Sequence, residues 1–227
     1  MLRAPFDKED PPFELRPLGE TILHTDPHNG IDLIWDHKVT VLAAASGLVV
    51  EILPEVGSHE GQWRVTVKTG QHYVGYHHLE SYHVDLERGN EIAEGSMIGF
   101  PSRSNRYYAR DPNRGIHWEF GYAQELAEPI ITPEGMIETF RYTRLCPLSY
   151  FTDEARKQLE AIYDATTWKG KEEFPEVCSG VYRQPSEAAQ ASGYADGSQL
   201  RWESNVYEWN TGPSYEVRLV ESHQLVP

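Results

Sequence analysis

The strongest constraint on the fold is a series of short alternating segments between about Thr40 and Tyr122. Two examples are "QWRVTVKTG", which ends at a glycine, and "GIHWEFGY". Alternation of apolar and polar residues with a period of two is typical of strands that bury one face. Strands that recur about every ten residues favour a mainly β fold, built as an antiparallel sandwich or a partly open barrel.

Other segments of the same region give local turn predictions. The stretch "KVTVLAAASGLVVEIL" predicts a strand, a glycine turn and a second strand. The stretch "HYVGYHHLESYHV" predicts a strand that ends near Leu79, and the glycine spacing in "GNEIAEGSMIGF" predicts a tight hairpin.

The chain changes character after Tyr122. One helix is predicted over 152–168, where Thr152 is a suitable N-cap and acidic residues follow in the first turn. Residues 169–200 are rich in Gly, Ser, Glu and Ala and have the composition of a loop or linker. Two further segments within 200–221 predict a β-hairpin.

These patterns divide the chain into three parts. Residues 1–20 form an irregular N-terminal lead-in, and residues 21–151 form the β-rich domain. Residues 152–227 form the helix and a C-terminal extension that ends in the hairpin.

Composition excludes several classes of function. The formal net charge of the 227 residues is -15, and no basic stripe suits them to nucleic acid. No apolar run approaches the ~20 residues that a membrane-spanning helix needs. The polar, proline-rich N-terminus is not a signal peptide, so a cytosolic protein and a mature form both fit. Cys146 and Cys178 allow two free thiols or one disulfide.

The histidine and the aspartate in "HNGID" suggest a metal site. His28 and Asp32 are four positions apart, so in an extended segment they point the same way. An imidazole and a carboxylate can share a zinc ion, which needs at least one more ligand. His117, in the middle of a predicted strand, is the best source of that ligand. A further histidine, His77 or His78, lies in "YHHLES".

Taken in order, these pieces resemble the M23 (LytM-type) family of zinc metallopeptidases. The family pattern consists of HxGxD, a strand with AxxxGxV, YxHL, a glycine-spaced hairpin, and HxHWEV. In chain order, the corresponding segments of this sequence are "HNGID", "VLAAASGLVVEI", "VGYHHLES", "HVDLERGNEIAEGSMIGF" and "GIHWEFGY". The resemblance implies the duplicated hybrid motif fold for the β-rich domain of residues 21–151.

The resemblance also implies a role for each matched residue. His28 and Asp32 take the positions of the first two zinc ligands, and His117 takes that of the third. His78, which precedes Leu79, takes the position of a catalytic histidine. The remaining histidines outside these motifs, among them His59, are most simply surface or strand-end residues.

The chain departs from the family at the HxH motif. In one register, His117 is the zinc ligand, Glu119 matches the family glutamate, and Gly115 replaces the catalytic first histidine. In the other register, His117 is catalytic and Glu119 is the third ligand. We prefer the first register because two histidines and one aspartate are a more usual zinc set. Activity then needs a substitute for the missing catalytic group, and Glu119, His77 and an ordered water are the candidates.

Two functions follow from the resemblance. The first is a zinc endopeptidase that hydrolyses peptide cross-links of peptidoglycan with a zinc-polarised water. The second is a degenerate pseudopeptidase that retains zinc and binds a cell-wall peptide or a protein. The retained His28, Asp32, His78 and His117 favour the enzyme, and Gly115 favours the binding module.

Further expectations follow from the same resemblance. It implies a periplasmic or extracellular location for a mature form, while the N-terminus of this chain leaves a cytoplasmic location open. A protein partner could bind through the C-terminal extension. Related β folds also serve in sugar-phosphotransfer proteins, but fold alone does not fix function.

Overall fold

A computed structural model describes residues 1–20, 22, 28–55, 59–103, 113–131, 137–168 and 170–178, and two strands at 207–210 and 216–219. The strands are β1 (Glu14–Arg16), β2 (Ile31–Trp35), β3 (Val41–Leu42), β4 (Gly47–Pro54), β5 (Trp63–Thr69), β6 (His72–Tyr82), β7 (Glu91–Ile92), β8 (Met97–Arg103), β9 (Arg114–Ile131), β10 (Ile137–Arg144), β11 (Tyr207–Asn210) and β12 (Glu216–Leu219). The helix α1 spans Asp153–Ala165.

Strands β1 to β10 form one antiparallel sheet that does not close on itself. The main path of hydrogen-bonded neighbours is β1-β2-β9-β8-β6-β5-β4-β7, with β10 beside β9 and β3 beside β8. The prediction of a mainly β, partly open fold is therefore confirmed. No helix in the described ranges is long and apolar enough to cross a membrane.

Strand β9 lies near the centre of the sheet, and its successive side chains point to opposite faces. His117 of β9 is paired with Asp32 of β2 on one side and with His77 of β6 on the other. Residues paired across neighbouring strands point to the same face, so these three polar side chains share one face. The next row, Ile31, Trp118 and Tyr76, points to the opposite face and is fully buried in the core.

The first 20 residues are more ordered than the sequence suggests. Strand β1 pairs with β2, and Leu2, Phe6 and Leu15 are buried in the core. The sequence gives little warning of this because prolines and charges interrupt any strand pattern in this segment. Packing against the sheet, not local propensity, orders it.

A disulfide between Cys146 and Cys178 fastens the chain that follows α1. The backbone N–H of Leu18 donates to the carbonyl of Val177, next to this disulfide. The disulfide thus joins the segments before and after the helix, and the Leu18 hydrogen bond joins the N-terminal segment to the second of them. Of the two possibilities that the sequence leaves open, the structure has the disulfide.

Of the two predicted strand–turn–strand units, β3–β4 and β7–β8, only the second pairs differently from the prediction. Strands β7 and β8 flank a tight turn at Gly95, but they do not form the predicted hairpin. Instead β8 pairs with β3, and β7 pairs with β4. Turn chemistry fixes the local reversal of the chain, but the other unit supplies the hydrogen-bond partners.

Strand β9 also extends far beyond the predicted segment. It continues to Ile131 and pairs with β10, so that 114–144 form a long antiparallel pair. The sequence after Tyr122 lacks clear alternation, and the pattern therefore missed this pair. Strand β6 likewise runs to Tyr82, three residues beyond the predicted end at Leu79.

The helix and the C-terminal hairpin are as predicted. Thr152 caps α1 by accepting a hydrogen bond from the N–H of Ala155, and Leu159, Ile162 and Tyr163 are buried on one face. Strands β11 and β12 pair antiparallel within the predicted hairpin range. The predicted loop at 169–200 lies mostly outside the described residues, as does the turn between β11 and β12.

Candidate metal centre

Three potential ligand atoms meet on the polar face beside β9. His28 lies just before β2, Asp32 is in β2, and His117 is in β9. His28 Nε2 is 3.1 Å from Asp32 Oδ1 and 3.0 Å from His117 Nδ1. His117 Nδ1 is 3.0 Å from Asp32 Oδ1, so the three atoms form a nearly equilateral triangle. We call these three residues the inner cluster.

The inner cluster has the chemistry that zinc requires. Ligands about 2.0–2.1 Å from a tetrahedral zinc ion are roughly 3.3 Å apart, close to the spacing of these atoms. His28 Nδ1 lies 2.8 Å from the carbonyl of Pro17, and His117 Nε2 lies 3.2 Å from Glu119 Oε1. Such contacts on the far side of each imidazole hold the ring and leave the other nitrogen for a metal. The donor set therefore fits the group that the resemblance implies.

Gly30 is the residue that lets the segment approach β9 closely. A Cβ at this position would lie 2.5 Å from the carbonyl oxygen of Trp118 and 2.7 Å from His117 Nε2. The sequence suggests a turn at this glycine, but its φ is not positive. The requirement is therefore for space against β9 and the His117 ring.

Electrostatics hold the inner cluster together without a metal. Burial alone would raise the pKa of Asp32, but His28 and His117 outweigh it and hold that pKa well below its usual range. Burial alone would lower the pKa of His117, but its hydrogen bonds with Asp32 and Glu119 raise it to about 9. In the metal-free protein, a charged His117 thus sits between two carboxylates. A metal would have to displace its proton.

Glu119 is buried beside the inner cluster and contacts His117 and the residues around it. Its Oε1 accepts from Asn29 Nδ2 at 2.8 Å, and its Oε2 lies 3.0 Å from Arg144 Nη2. Burial alone would raise the pKa of Glu119, but Arg144, His77 and His117 together hold it well below its usual range. A charged carboxylate so occupied by donors is suited to orient His117.

Glu55, just after β4, holds two consecutive histidines of β6. Its Oε1 lies 3.2 Å from His77 Nδ1, and its Oε2 lies 2.7 Å from His78 Nδ1. Consecutive strand residues normally point to opposite faces. His78 instead has a φ of 61°, a left-handed backbone that is uncommon for a residue other than glycine. This local irregularity lets both rings contact Glu55.

Both histidines of β6 face the inner cluster. The ring centroid of His117 is 5.5 Å from that of His77 and 6.0 Å from that of His78. His77 Nε2 lies 3.5 Å from Glu119 Oε2, too long for a strong hydrogen bond. His78 Nε2 makes no hydrogen bond within the described part of the chain. The Nε2 atom of His78 is therefore available to a ligand, whereas that of His77 faces the carboxylate of Glu119.

His59 lies against this pair, although the sequence gives it no role. Its ring stacks on that of His78, with 4.0 Å between centroids and 25° between planes. Glu55, His59 and His78 each offer one ligand atom, and these atoms lie within 4.8 Å of one another. We call these three residues the outer cluster. It escapes sequence reasoning because Glu55 and His59 belong to a loop between strands and match no motif.

The structure brings all five sequence-predicted site residues into one region. His28, Asp32 and His117 form the inner cluster, Glu119 supports it, and His78 lies beside it. This arrangement matches the first of the two registers, since Glu119 contacts His117 Nε2 and is not part of the triangle. Sequence reasoning misses Glu55 and the supporting contacts of Pro17, Asn29 and Arg144.

The fold and this site define a mostly β protein with a buried site of two histidines and one aspartate, suited to a metal. Residues 26–129 match the model of peptidase family M23. This part of the chain, slightly less than half of its length, is similar to family M23. No curated protein sequence matches the chain.

Solved structures give distant similarities. Csd3 from Helicobacter pylori is 16% identical over 54% of this chain and 30% of its own, with a TM-score of 0.42. A zinc-containing peptidase from Vibrio cholerae is 18% identical over 52% of this chain and 35% of its own, with a TM-score of 0.39. A catalytic-domain mutant of the M23 protein EnpA from Enterococcus faecalis is 20% identical over 60% of this chain and 93% of its own, with a TM-score of 0.41. The match thus spans about a third of the first two chains.

Proposed function

We propose that this protein is a zinc endopeptidase that hydrolyses peptide cross-links of peptidoglycan. The observation that carries the proposal is the inner cluster, with three ligand atoms 3.0–3.1 Å apart in a segment that matches the model of family M23. His28, Asp32 and His117 would hold the zinc ion. When bound, zinc supplies Lewis-acid chemistry, which polarises a peptide carbonyl and acidifies a water.

His78 is the proposed proton carrier. Its Nδ1 hydrogen-bonds Glu55, so in the neutral ring Nδ1 carries the proton and Nε2 is the basic nitrogen. Burial alone would raise the pKa of Glu55, but His77 and His78 outweigh it, and that pKa is strongly lowered. Glu55 is therefore a charged positioning residue. It holds His78 so that Nε2 can take a proton and later return it to the leaving amine.

His77 is the proposed substitute for the histidine that Gly115 replaces. It lies in the same cross-strand row as His117 and no farther from it than His78 does. Because Nδ1 of His77 also hydrogen-bonds Glu55, its Nε2 carries a proton only when the ring is protonated, and in that form it can donate a hydrogen bond to the carbonyl oxygen as negative charge develops there. The contacts of Glu119 support a positioning role for that residue rather than the catalytic role that the sequence suggests.

The disulfide supports a location outside the cytoplasm. Disulfides persist mainly in oxidising compartments, and peptidoglycan also lies outside the cytoplasm. A contact between the C-terminal extension and a protein partner remains a prediction.

A second candidate function is a zinc-holding pseudopeptidase, which Gly115 favours. Loss of one proton-handling group typically costs about 10² to 10⁴ in rate, and a chain without a substitute would be close to inactive. The two functions differ in whether His77 and His78 act on a substrate. Both need the inner cluster.

Mass spectrometry of digested peptidoglycan tests the proposal. Purified peptidoglycan is incubated with the wild type, chelator-treated protein, His28→Ala and His83→Ala, a matched change at a histidine outside both clusters. We expect new peptide fragments with the wild type and His83→Ala, and none with chelator or His28→Ala. Absence of fragments from folded protein with one zinc ion bound would favour the pseudopeptidase.

A further inference from the structure

We propose that the outer cluster, Glu55, His59 and His78, is a second divalent-cation site, selective for zinc-like ions and distinct from the inner cluster. Two of its ligand atoms come from the connection between β4 and β5 and one comes from β6, and all three lie within 4.8 Å of one another. The binding of this ion does not depend on peptidase activity. Its effect on catalysis, discussed below, rests on the proposed function.

The chain brings these residues together through the β4–β5–β6 part of the sheet. Glu55 follows the end of β4, where Pro54 pairs with Trp63 of β5, and Trp63 in turn pairs with Leu79 of β6. His59 lies in the connection between β4 and β5 and receives a backbone hydrogen bond from Gln62. Its position is therefore set by the same strand pair that places Glu55.

Backbone strain at His78 completes the outer cluster. Left-handed backbone at a residue other than glycine is unfavourable and is often found at functional sites, and His78 has a φ of 61°. Here it turns the His78 ring toward Glu55 and His59. A regular strand would place the ring on the face opposite to His77, away from Glu55.

The donor set favours zinc over calcium or magnesium. Two imidazole nitrogens and one carboxylate oxygen are typical zinc ligands, whereas calcium and magnesium prefer oxygen alone. Without an ion, the His59 and His78 rings stack at 25°. Because the nitrogen lone pairs lie in the ring planes, two nearly parallel rings do not direct them to one point, so ion binding needs the His59 ring to tilt relative to that of His78.

An ion in the outer cluster would compete with the proposed reaction. It would bind His78 Nδ1 and remove the Glu55 contact that sets the tautomer of that ring. The ring of His78 is 6.0 Å from that of His117, so the two sites are neighbours. We therefore expect the inner site to support hydrolysis with one zinc ion and the outer site to inhibit it when zinc is in excess.

Zinc stoichiometry on the full chain tests the second site. Metal-free protein is dialysed against increasing concentrations of zinc chloride, and bound zinc is measured by mass spectrometry of the metal. We expect two equivalents for the wild type and one for His59→Ala. The matched control is His37→Ala, because His37 also lies between two carboxylates, those of Asp10 and Asp36, and this variant should still bind two.

Other outcomes have defined meanings. One equivalent in the wild type, or two in His59→Ala, would overturn the second site. Glu55→Gln, which should also reduce the count to one, serves if His59→Ala fails to fold by circular dichroism. A second equivalent that is lost in His37→Ala would place the ion elsewhere.

A rate measurement separates this inference from the proposed function. The ratio of cleavage rates at one zinc equivalent and at excess zinc should exceed 10 in the wild type and approach 1 in His59→Ala. Two equivalents without any cleavage would preserve the second site and reject the peptidase. Cleavage by a wild type that binds only one zinc equivalent, even in excess zinc, would support the peptidase and reject the second site.

Discussion

The two clusters use similar side chains in different structural settings. The inner cluster takes two of its ligands from paired central strands, and its atoms are 3.0–3.1 Å apart. The outer cluster takes two of its ligands from the connection after β4, and its two histidine rings are stacked, with 25° between their planes. His28 and His117 are buried, whereas all three outer residues are partly exposed.

This difference suggests how a chain can build a strong and a weak metal site from the same residue types. Strand pairing and the contacts of Pro17 and Glu119 with the two imidazoles preorganise the inner ligands, so little motion accompanies binding. In the outer cluster, the stacked rings of His59 and His78 must reorient before they can share an ion. We therefore expect tight, lasting binding in the inner cluster and weaker, exchangeable binding in the outer one.

The largest effect is expected for Asp32→Asn. The amide removes the negative charge that draws the two imidazoles and the metal together. Changes to groups that only support a metal ligand typically cost 10–100-fold in affinity, so loss of a ligand should cost more than about 100-fold. Competition with a zinc-sensitive dye measures this affinity. Binding at the outer cluster should persist, and a wild-type affinity in Asp32→Asn would show that the inner cluster is not the tight site.

A matched pair of glutamate changes should separate the clusters next. Glu119→Gln keeps the shape of the side chain but removes the charge that orients His117, and we expect about 10–100-fold weaker zinc binding at the tight site. Glu55→Gln should leave the affinity of the tight site unchanged. Equal effects of the two changes would mean that the clusters act as one site. Dye competition on both variants decides between these outcomes.

Much of the inner cluster could be predicted from the sequence, because short motifs carry its ligands. HNGID places His28 and Asp32 near each other by local geometry, and HWEF fixes His117 and Glu119 on one strand face. The resemblance to M23 then supplies the long-range pairing. Strand register, with Asp32 opposite His117, follows only from the folded sheet.

The outer cluster and parts of the fold could not be predicted for the same physical reason. Glu55 and His59 have no motif around them, and they contact His78 only because β4, β5 and β6 are neighbours. The pairing of β3 with β8 and of β4 with β7 is likewise set between distant segments. Turn residues specify where the chain reverses, but not which strands meet.

Loss of the disulfide is expected to have a smaller effect, mainly on the inner cluster. The ring of His28 is held by Pro17, and the neighbouring Leu18 is tied to Val177 beside Cys178. Replacing Cys146 and Cys178 with serine removes a covalent cross-link between residues 32 positions apart. This change should lower the free energy of unfolding by about 2–4 kcal/mol.

Zinc affinity of this serine variant gives the comparison between clusters. We expect a several-fold loss at the inner cluster, through Pro17 and His28, and no change at the outer cluster. Denaturant unfolding and dye competition measure the two quantities. Unchanged inner affinity with reduced stability would mean that the Pro17 contact survives without the disulfide.

The smallest effect is expected for Gly75→Ala, with Gly30→Ala as its contrast. A Cβ at Gly75 would lie 3.1 Å from His77 Nε2, so that the ring would need to shift by a few tenths of an ångström. Because a misplacement of about 1 Å can cost 10²-fold, we expect kcat to fall by less than about 10-fold, with zinc binding unchanged.

A Cβ at Gly30 would meet backbone that cannot move aside, and zinc binding itself should be weakened. Steady-state cleavage and zinc content separate the two variants. An unchanged kcat in Gly75→Ala would remove His77 from the reaction, whereas lost zinc would indicate that position 75 acts through Glu119.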